Sequence, residues 1–302
     1  MFSAFIERLA AGEILVADGA TGTSYQQAGL PLGVAPEEWV ELEPGKVLDL
    51  HRAFIRAGSD IILTDTFGGT PLRLRETPFA DRAHELNRRA AGLAREATSS
   101  GRDVLVAGSM GPTGLLMEPL GELTATAAAD SYAEQAAGLA EGGVDLLLLE
   151  TFFALEEALS AIQGIRRTTD LPLVVTFSFD RGTHTMMGLR PGTMVGAIRP
   201  LGVAAIGANC GRSLDDMENV LGELASASNG IPLWIKPNAG LPRMDGDTAR
   251  YDTTPANMAD YATRFIQAGA RIVGGCCGTS PEHLSAIAAA ARSSRPTSRL
   301  GV

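Results

Sequence analysis

The sequence predicts an α/β protein that folds as a single (β/α)8 barrel of the TIM type. Eight short apolar runs recur along the 302 residues, with amphipathic helical segments between them. The runs are continuously apolar rather than alternating, which is typical of strands buried on both faces of a parallel sheet. Eight strand-then-helix units in a chain of this length match the number and size of such a barrel.

The eight predicted strands are spaced so that each is followed by room for one helix. They are residues 14–17, 61–64, 104–107, 144–149, 173–177, 203–207, 232–235 and 271–273. The intervening segments have the pattern of amphipathic helices, for example at residues 83–97 and 125–141. Gly58, Gly142 and Gly269 stand just before the next strand, where glycine is the expected helix stop.

An open, doubly wound sheet is the alternative architecture for this pattern. It would more often have fewer strands and a glycine-rich phosphate-binding turn after the first strand. The segment Asp18-Gly19-Ala20-Thr21-Gly22-Thr23 after the first predicted strand does not have that spacing, so the barrel is favoured. No internal linker is evident, and residues 1–291 are expected to form one domain. Residues 292–302, rich in Ser, Pro and Arg, are expected to be a disordered tail.

The charge balance is acidic and disfavours several classes of partner. The chain has 25 Lys and Arg against 35 Asp and Glu, for a formal net charge of −10. We expect no nucleic acid and no membrane as partners, because both attract basic patches. No apolar stretch approaches the ~18 residues of a membrane span, and the first residues lack the order of a secretory signal. Three cysteines, two of them adjacent, do not build a disulfide framework, so we expect a cytoplasmic protein.

The three cysteines are the most specific chemical signal in the sequence. Cys210 follows the sixth predicted strand, and Cys276 and Cys277 lie in a Gly-Gly-Cys-Cys-Gly segment after the eighth. The carboxyl ends of barrel strands meet at one mouth, and these two strands are near neighbours, so the thiols can converge on one ion. Three thiolates with an open fourth position suit zinc in a catalytic site. The alternative is three buried cysteines acting as small hydrophobic residues, which the surrounding glycines disfavour.

Other polar residues follow the predicted strands and should face the same mouth. Asp18 and Glu150 stand where an unpaired carboxylate is costly, so they are candidates to bind a cation such as a substrate ammonium. The alternative is that they cap helices or accept hydrogen bonds from loop amides. The turn Gly19-Ala20-Thr21 offers N–H groups to an anion. Together these groups would bind a zwitterionic amino acid by both ends, and Asp65 is a third acid beside them.

These residues resemble the zinc-dependent homocysteine S-methyltransferases, and most closely the homocysteine-binding module of cobalamin-dependent methionine synthase. The likeness runs from about Ile14 to His283 and rests on short motifs spread over that length. The motifs are Asp18-Gly19-Ala20-Thr21-Gly22-Thr23, Thr64-Asp65-Thr66-Phe67, Gly111-Pro112-Thr113-Gly114, Glu150-Thr151-Phe152, Gly207-Ala208-Asn209-Cys210, Pro237-Asn238-Ala239-Gly240 and Gly274-Gly275-Cys276-Cys277-Gly278-Thr279. One departure is Asp65, where the family often has Asn.

The resemblance implies roles for the residues at the mouth. The three cysteines, Cys210, Cys276 and Cys277, are expected to bind Zn²⁺ and to form the catalytic centre. Asp18 and Glu150 are expected to hold the amino group of homocysteine. The full set of expected substrate-binding residues is Asp18, Gly19, Ala20, Thr21, Asp65, Glu150, Asn209 and Asn238.

The implied activity is transfer of a methyl group onto the thiol of homocysteine, which gives methionine. The sequence contains no Asp-x-His-x-x-Gly corrinoid motif, and aromatic residues that could cage a quaternary ammonium make up only 5% of it. We therefore expect the donor to be methylcobalamin or a related methyl-corrinoid, supplied in trans by a separate corrinoid protein. The alternative donor is a small onium compound: S-methylmethionine, S-adenosylmethionine, a betaine or a dimethylsulfonium compound. Two alternative functions are a demethylase that passes a methyl group to a corrinoid protein and a zinc-storage protein.

Overall fold

The computed structural model describes residues 3–99, 101–245 and 248–294, and it confirms the (β/α)8 barrel. The strands are β1 (Leu15–Val16), β2 (Ile61–Leu63), β3 (Leu105–Met110), β4 (Leu146–Phe152), β5 (Leu173–Phe177), β6 (Ala205–Cys210), β7 (Leu233–Pro237), β8 (Arg243–Asp245), β9 (Thr248–Arg250) and β10 (Ala270–Val273). Strands β8 and β9 form a short antiparallel hairpin outside the barrel, which the sequence analysis did not predict. The other strands form the barrel.

The eight barrel strands pair in parallel in the order β1-β10-β7-β6-β5-β4-β3-β2. The two ends of this sheet meet at a parallel bridge between Ala17 and Ile61. The seam is reinforced by Asp60, whose carboxylate accepts a hydrogen bond from the Val16 N–H at 3.0 Å. Because all eight strands are parallel, their carboxyl ends lie at one mouth.

Two apolar layers stabilise the barrel. The inner layer contains Leu15 and Trp234 from opposite ends of the chain, and Phe5 of the first helix packs against it. The outer layer, which contains Val16, lies between the sheet and the surrounding helices. Neighbouring residues such as Leu15 and Val16 belong to different layers because successive side chains of a strand point to opposite faces. Both faces are buried, which explains the continuous apolar runs in the sequence.

The helices cover the outside of the barrel and several begin at a side-chain cap. They are α1 (Ala4–Ala10), α2 (Gly22–Gln27), α3 (Trp39–Leu42), α4 (Pro44–Ala57), α5 (Pro71–Leu74), α6 (Ala83–Thr98), α7 (Ala125–Glu141), α8 (Leu155–Arg166), α9 (Pro191–Ile198), α10 (Leu214–Ala227), α11 (Pro255–Gln267) and α12 (Pro281–Ser293). Thr124 caps α7, Ser213 caps α10 and Thr254 caps α11. Each oxygen satisfies a backbone N–H of the first helical turn. Gly58 and Gly269 follow α4 and α11 with positive φ, as expected for helix stops.

Three strands extend further toward the mouth than the apolar runs predicted. Strands β3, β4 and β6 each end three residues beyond the predicted boundary, because the ladder continues past the apolar residues. The predicted tail begins inside α12, which ends at Ser293, and its residues 295–302 lie outside the described residues. In the described part of the chain, no helix combines the length and apolarity needed to cross a membrane.

Candidate active site

The three cysteines converge at the mouth, as the sequence analysis expected. Their sulfur atoms all lie within 4.8 Å of one another, and the Sγ atoms of Cys210 and Cys276 are 3.1 Å apart. Cys210 is the last residue of β6, and Cys276 and Cys277 follow β10. Hydrogen bonds from the other two thiols hold the pKa of Cys277 well below its usual range. The trio therefore stabilises a thiolate.

Asn209 fixes the backbone around the trio. Its Oδ1 accepts hydrogen bonds from the Thr151 N–H at 2.8 Å and the Thr176 hydroxyl at 2.7 Å, and its Nδ2 donates to the Thr151 hydroxyl at 2.7 Å. Nδ2 also lies 3.5 Å from the sulfur of Cys210 and 3.8 Å from that of Cys276. Thr151 and Cys210 both have positive φ, 66° and 59°, a conformation that is costly for residues with a side chain. The buried amide thus holds two strained residues in place.

Asn238 performs a similar task for the second half of the trio. Its Oδ1 accepts a hydrogen bond from the Cys277 N–H at 3.0 Å, and its Nδ2 donates to the Gly211 carbonyl at 2.8 Å. The loop after β10 is tied further by the Cys276 N–H, which donates to the Pro237 carbonyl at 2.7 Å. The side-chain polar atoms of both asparagines thus form hydrogen bonds with protein groups around the cysteines.

A buried ion pair, absent from the sequence prediction, lies next to the cysteines. Lys236 of β7 donates from Nζ to Oδ1 of Asp18 at 2.9 Å, and both side chains are at most 2% exposed. The other Asp18 oxygen accepts a hydrogen bond from the Leu63 N–H at 2.7 Å. Burial raises the pKa of Asp18, and the charge of Lys236 opposes that shift. The pair joins β7 to the closing seam of the barrel.

Glu150 is the second acid at the mouth. Its Oε1 accepts a hydrogen bond from the Ser109 hydroxyl at 2.5 Å. Burial raises the pKa of Glu150 to about 7, with the neighbouring Lys236 charge acting in the opposite direction. A carboxyl group with this pKa is divided between its neutral and charged forms near pH 7, and an incoming ammonium would favour the charged form.

The turn after β1 presents backbone N–H groups at the same place. The Ala20 N–H donates to the Thr279 carbonyl at 3.1 Å, whereas those of Gly19 and Thr21 make no hydrogen bond with the described residues. Gly19 is required here, because an added Cβ would lie 2.6 Å from the Phe54 ring. The turn therefore offers two unused donors.

Asp65 belongs to a buried acidic pair in the wall of the mouth. Burial raises the pKa of Asp65 well above its usual range; the Glu37 charge raises it further, and the Tyr25 hydroxyl lowers it. Oδ2 of Asp65 nevertheless has no hydrogen bond of normal geometry with the described residues. Glu37 accepts a hydrogen bond from the Gly68 N–H.

The mouth opens into a cavity of about 1080 Å³. The three cysteines and Lys236 line it, together with the nearby acid Glu37. Of the residues expected to bind substrate, those that line the cavity are Gly19, Ala20, Thr21, Asp65 and Glu150. Those that do not are Asp18, Asn209 and Asn238. The structure thus brings the expected residues together but places three of them behind the cavity wall.

Lys236 is the residue of the site that sequence reasoning missed. One signal was available, because the sequence contains 23 arginines and only two lysines, Lys46 and Lys236. Lys236 stands directly after an apolar run in a chain that otherwise uses arginine, which singles out its position in the sequence.

The donor set of the trio fits zinc. Zn–S bonds of about 2.3 Å place the sulfur atoms of a tetrahedral site about 3.8 Å apart. The Sγ atoms of Cys210 and Cys276 are closer than this, at 3.1 Å, and all three lie within 4.8 Å of one another, so small side-chain shifts would accommodate the ion. Three thiolates leave the fourth position for an exchangeable ligand, as in catalytic rather than structural zinc sites. Among the described residues, no other group of histidines, cysteines or acids is arranged to hold a metal.

The fold and this site are those of a (β/α)8-barrel enzyme with a three-cysteine metal site. Comparison with known sequences identifies its family. Residues 15–291 match the family model described as homocysteine S-methyltransferase. The chain belongs to the homocysteine S-methyltransferase family.

Its relatives include long enzymes. The chain is 34% identical over 296 residues to the methionine synthase of Mycobacterium leprae (strain TN), a match that covers 93% of this chain and 24% of the relative. It is 34% identical over 293 residues to the methionine synthase of Mycobacterium tuberculosis (strain ATCC 25618 / H37Rv), covering 92% of this chain and 24% of the relative. The chain thus spans about a quarter of the length of these curated relatives.

A solved structure supports the fold. The homocysteine methyltransferase MmuM from Escherichia coli, in its metallated form, superimposes with a TM-score of 0.78 and 24% sequence identity. The match covers 94% of this chain and 98% of that one.

Proposed function

We propose that this protein is a zinc-dependent methyltransferase that converts homocysteine to methionine with a methyl-corrinoid donor. The observation that carries the proposal is the convergence of three thiols on the floor of a cavity that also presents Glu150 and Lys236. A metal-storage protein would have no use for the charged groups beside the cysteines. A thiol site of this kind needs a reducing compartment, and we propose that the protein works in the cytoplasm.

The chemistry follows from the charge on sulfur. A thiol with a pKa near ~8.5 is only about 3% thiolate at pH 7, so reaching the nucleophilic form costs about 2 kcal/mol. Cys210, Cys276 and Cys277 would hold the zinc ion, which would supply the positive charge that keeps a fourth thiol ionised near neutral pH. Three thiolate ligands would make the centre formally negative and leave electron density on the substrate sulfur. That sulfur would form the new bond to the methyl carbon with its own electron pair, and the corrinoid donor would keep the pair of the bond that breaks. Asn209 and Asn238 hold the ligands in place while the substrate exchanges.

Homocysteine would be held by both ends of its amino acid group. Its ammonium would bind Glu150, whose pKa of about 7 allows it to ionise when a cation arrives. Its carboxylate would bind the N–H groups of the Gly19 to Thr21 turn. Asp18, expected from the sequence to share the ammonium, would act from behind the wall through its bond to Lys236.

Two features support a corrinoid carried by a separate protein. Two relatives that match almost the whole of this chain are named methionine synthase. In addition, exposed apolar side chains surround the mouth. The exposed residues of the rim, from the segments that follow β3, β5 and β7, are Leu116, Leu120, Met186, Met187, Leu241 and Met244. Exposed apolar residues grouped at one end of a barrel are typical of a protein-docking surface.

A donor panel tests this proposal. Zinc-loaded protein and homocysteine would be assayed for methionine with methylcobalamin, S-methylmethionine, S-adenosylmethionine, glycine betaine and dimethylsulfoniopropionate. We expect modest turnover with free methylcobalamin, because the free cofactor lacks the docking contacts of a carrier protein. Fast turnover with an onium donor and none with methylcobalamin would overturn the corrinoid donor while retaining the methyltransferase.

A small onium donor is the second candidate, and the acidic pair favours it. Asp65 and Glu37 both line the cavity and are buried, and burial raises the pKa of both carboxyl groups. A cationic group in the cavity would favour their ionised forms and be attracted to them more strongly than a neutral group. If the donor is a sulfonium or ammonium compound, Asp65→Asn should raise its KM at unchanged KM for homocysteine. The matched control is Glu76→Gln, which neutralises an exposed acid of the same cavity. Equal KM values in both variants would exclude this use of the pair.

A further inference from the structure

Lys236 faces the cavity, although the acid that binds it does not. Lys236 lines the cavity together with Glu150 and Gly19, whereas Asp18 lies behind it. The side chain of Lys236 is 2% exposed. Of the two residues of the ion pair, Lys236 is thus the one that contributes to the cavity wall.

The ammonium of Lys236 has spare hydrogen-bonding capacity. A lysine ammonium carries three N–H donors, and among the described residues the hydrogen bond to Asp18 at 2.9 Å is its only one. Asp18, by contrast, uses both oxygens on the protein, through Lys236 and Leu63. A buried charge with unused donors is costly unless a ligand supplies an acceptor.

The surroundings of Lys236 form two poles of opposite charge. On the positive side are Lys236, Gly19 and Thr21, which all line the cavity. The N–H groups of Gly19 and Thr21 make no hydrogen bond with the described residues. On the negative side is Glu150, near enough for its charge and that of Lys236 to influence each other. An α-amino acid carries its ammonium and carboxylate on one carbon, so neighbouring opposite poles match it.

We propose that Lys236 binds the carboxylate of the thiol acceptor and thereby selects amino-acid thiols over simple thiols. Asp18 is the positioning residue that holds the ammonium at the cavity wall. The inference rests on the proposed function, in which homocysteine is the acceptor. Lys236 and Asp18 are about equally buried, so the support for this role is that Lys236 lines the cavity and has unused donors. As a stabilising element alone, the ion pair would be matched by apolar side chains.

The presence of only two lysines allows a direct spectroscopic test. Zinc-loaded protein labelled with ¹⁵N-lysine should give one side-chain ammonium signal for each lysine, assigned with Lys46→Met. Homocysteine should shift the Lys236 signal, and 3-mercaptopropylamine, which is homocysteine without its carboxylate, should leave it nearly unchanged. Lys46, on the surface beside Trp39, serves as the internal reference. A Lys236 chemical shift that does not change at saturating homocysteine would overturn the proposal.

Binding to variants gives an independent test. In Lys236→Met the Kd for homocysteine should rise about 10- to 100-fold, the range expected when a charge-assisted hydrogen bond is lost. The Kd for 3-mercaptopropylamine should stay within about twofold, and zinc content should not change. Lys46→Met is the matched control and should bind both thiols like the parent protein. An equal loss for both thiols would assign Lys236 a structural role only.

The double variant Lys236→Met/Asp18→Asn covers the case in which an unpaired Asp18 prevents folding. It removes both charges and should fold, bind zinc and still fail to prefer homocysteine over 3-mercaptopropylamine. Retained preference in this variant would refute the role of Lys236. Failure of the parent protein to bind homocysteine would instead refute the proposed function.

Discussion

Replacing Asn209 by leucine is the sharpest test of how the site is built. The two side chains have similar shape, so the change removes polar contacts without leaving a large cavity. It deletes three hydrogen bonds of 2.7 to 2.8 Å, to the Thr151 N–H, the Thr151 hydroxyl and the Thr176 hydroxyl. Asn209 is 0% exposed, and each buried group left without a partner costs about 1–3 kcal/mol. The Thr176 hydroxyl keeps the Leu149 carbonyl as a partner at 3.5 Å, so two groups of Thr151 lose theirs, and we expect the free energy of unfolding to fall by roughly 2 to 6 kcal/mol.

Urea unfolding of the zinc-loaded protein, followed by circular dichroism, measures this loss. Thr176→Val is the matched control, because it removes one of the three bonds while the Asn209 oxygen keeps the Thr151 N–H, and it should cost about 1 kcal/mol. Zinc affinity of Asn209→Leu, measured by chelator competition, should fall about 10- to 100-fold, since the amide orients the ligand Cys210. A loss of stability below about 1 kcal/mol in the leucine variant would refute the bracing role.

Three further predictions concern the metal, the ammonium site and the strand contact behind them. Replacing any one of the site cysteines by serine should reduce bound zinc well below one ion per chain by elemental analysis, while circular dichroism remains that of a folded barrel. Homocysteine affinity, measured by calorimetry, should fall as the pH drops through about 7, because Glu150 becomes protonated there; Glu150→Gln should bind more weakly and lose that part of the pH dependence. Gly207→Ala should destabilise the protein by about 3 kcal/mol or more in urea, because its Cβ would lie 1.8 Å from the Trp234 carbonyl oxygen. Gly222→Ala, with open space around its Cβ, is the control and should be neutral or slightly stabilising.

The fold could be predicted because its signals are local. The run from Leu173 to Phe177 coincides with β5, and the predicted helix at residues 125–141 coincides with α7. The mouth ends of β3, β4 and β6 were placed too early, because polar residues such as Ser109 and Glu150 end the apolar run while the backbone ladder continues. An apolar run in the sequence indicates which residues are buried. The end of a strand, in contrast, is set by the last backbone hydrogen bond to its neighbour.

The site was predicted less completely, because its contacts join distant parts of the chain. The cysteines were found since three residues of one rare type follow two strands. Lys236 was not, because the rarity of lysine distinguishes the residue but does not indicate its partner Asp18, which is 218 residues away. Asn209 was assigned to substrate through the family resemblance, whereas the structure shows that its hydrogen-bond partners Thr151 and Thr176 come from two other strands. Only three-dimensional contacts separate a ligand-binding amide from a bracing one.

The scarcity of lysine also makes the protein easy to modify at one place. Lys236 is shielded, so among lysines an amine-reactive dye can reach only Lys46, whose side chain is 40% exposed. The Lys46 ammonium lies 4.4 Å from the centre of the Trp39 ring, and Trp39 directly follows the short helix that carries Glu37 into the cavity wall. A fluorophore attached there would stand beside the mouth without touching the cysteines. Its emission would report the arrival of a large partner in real time, before any product has formed.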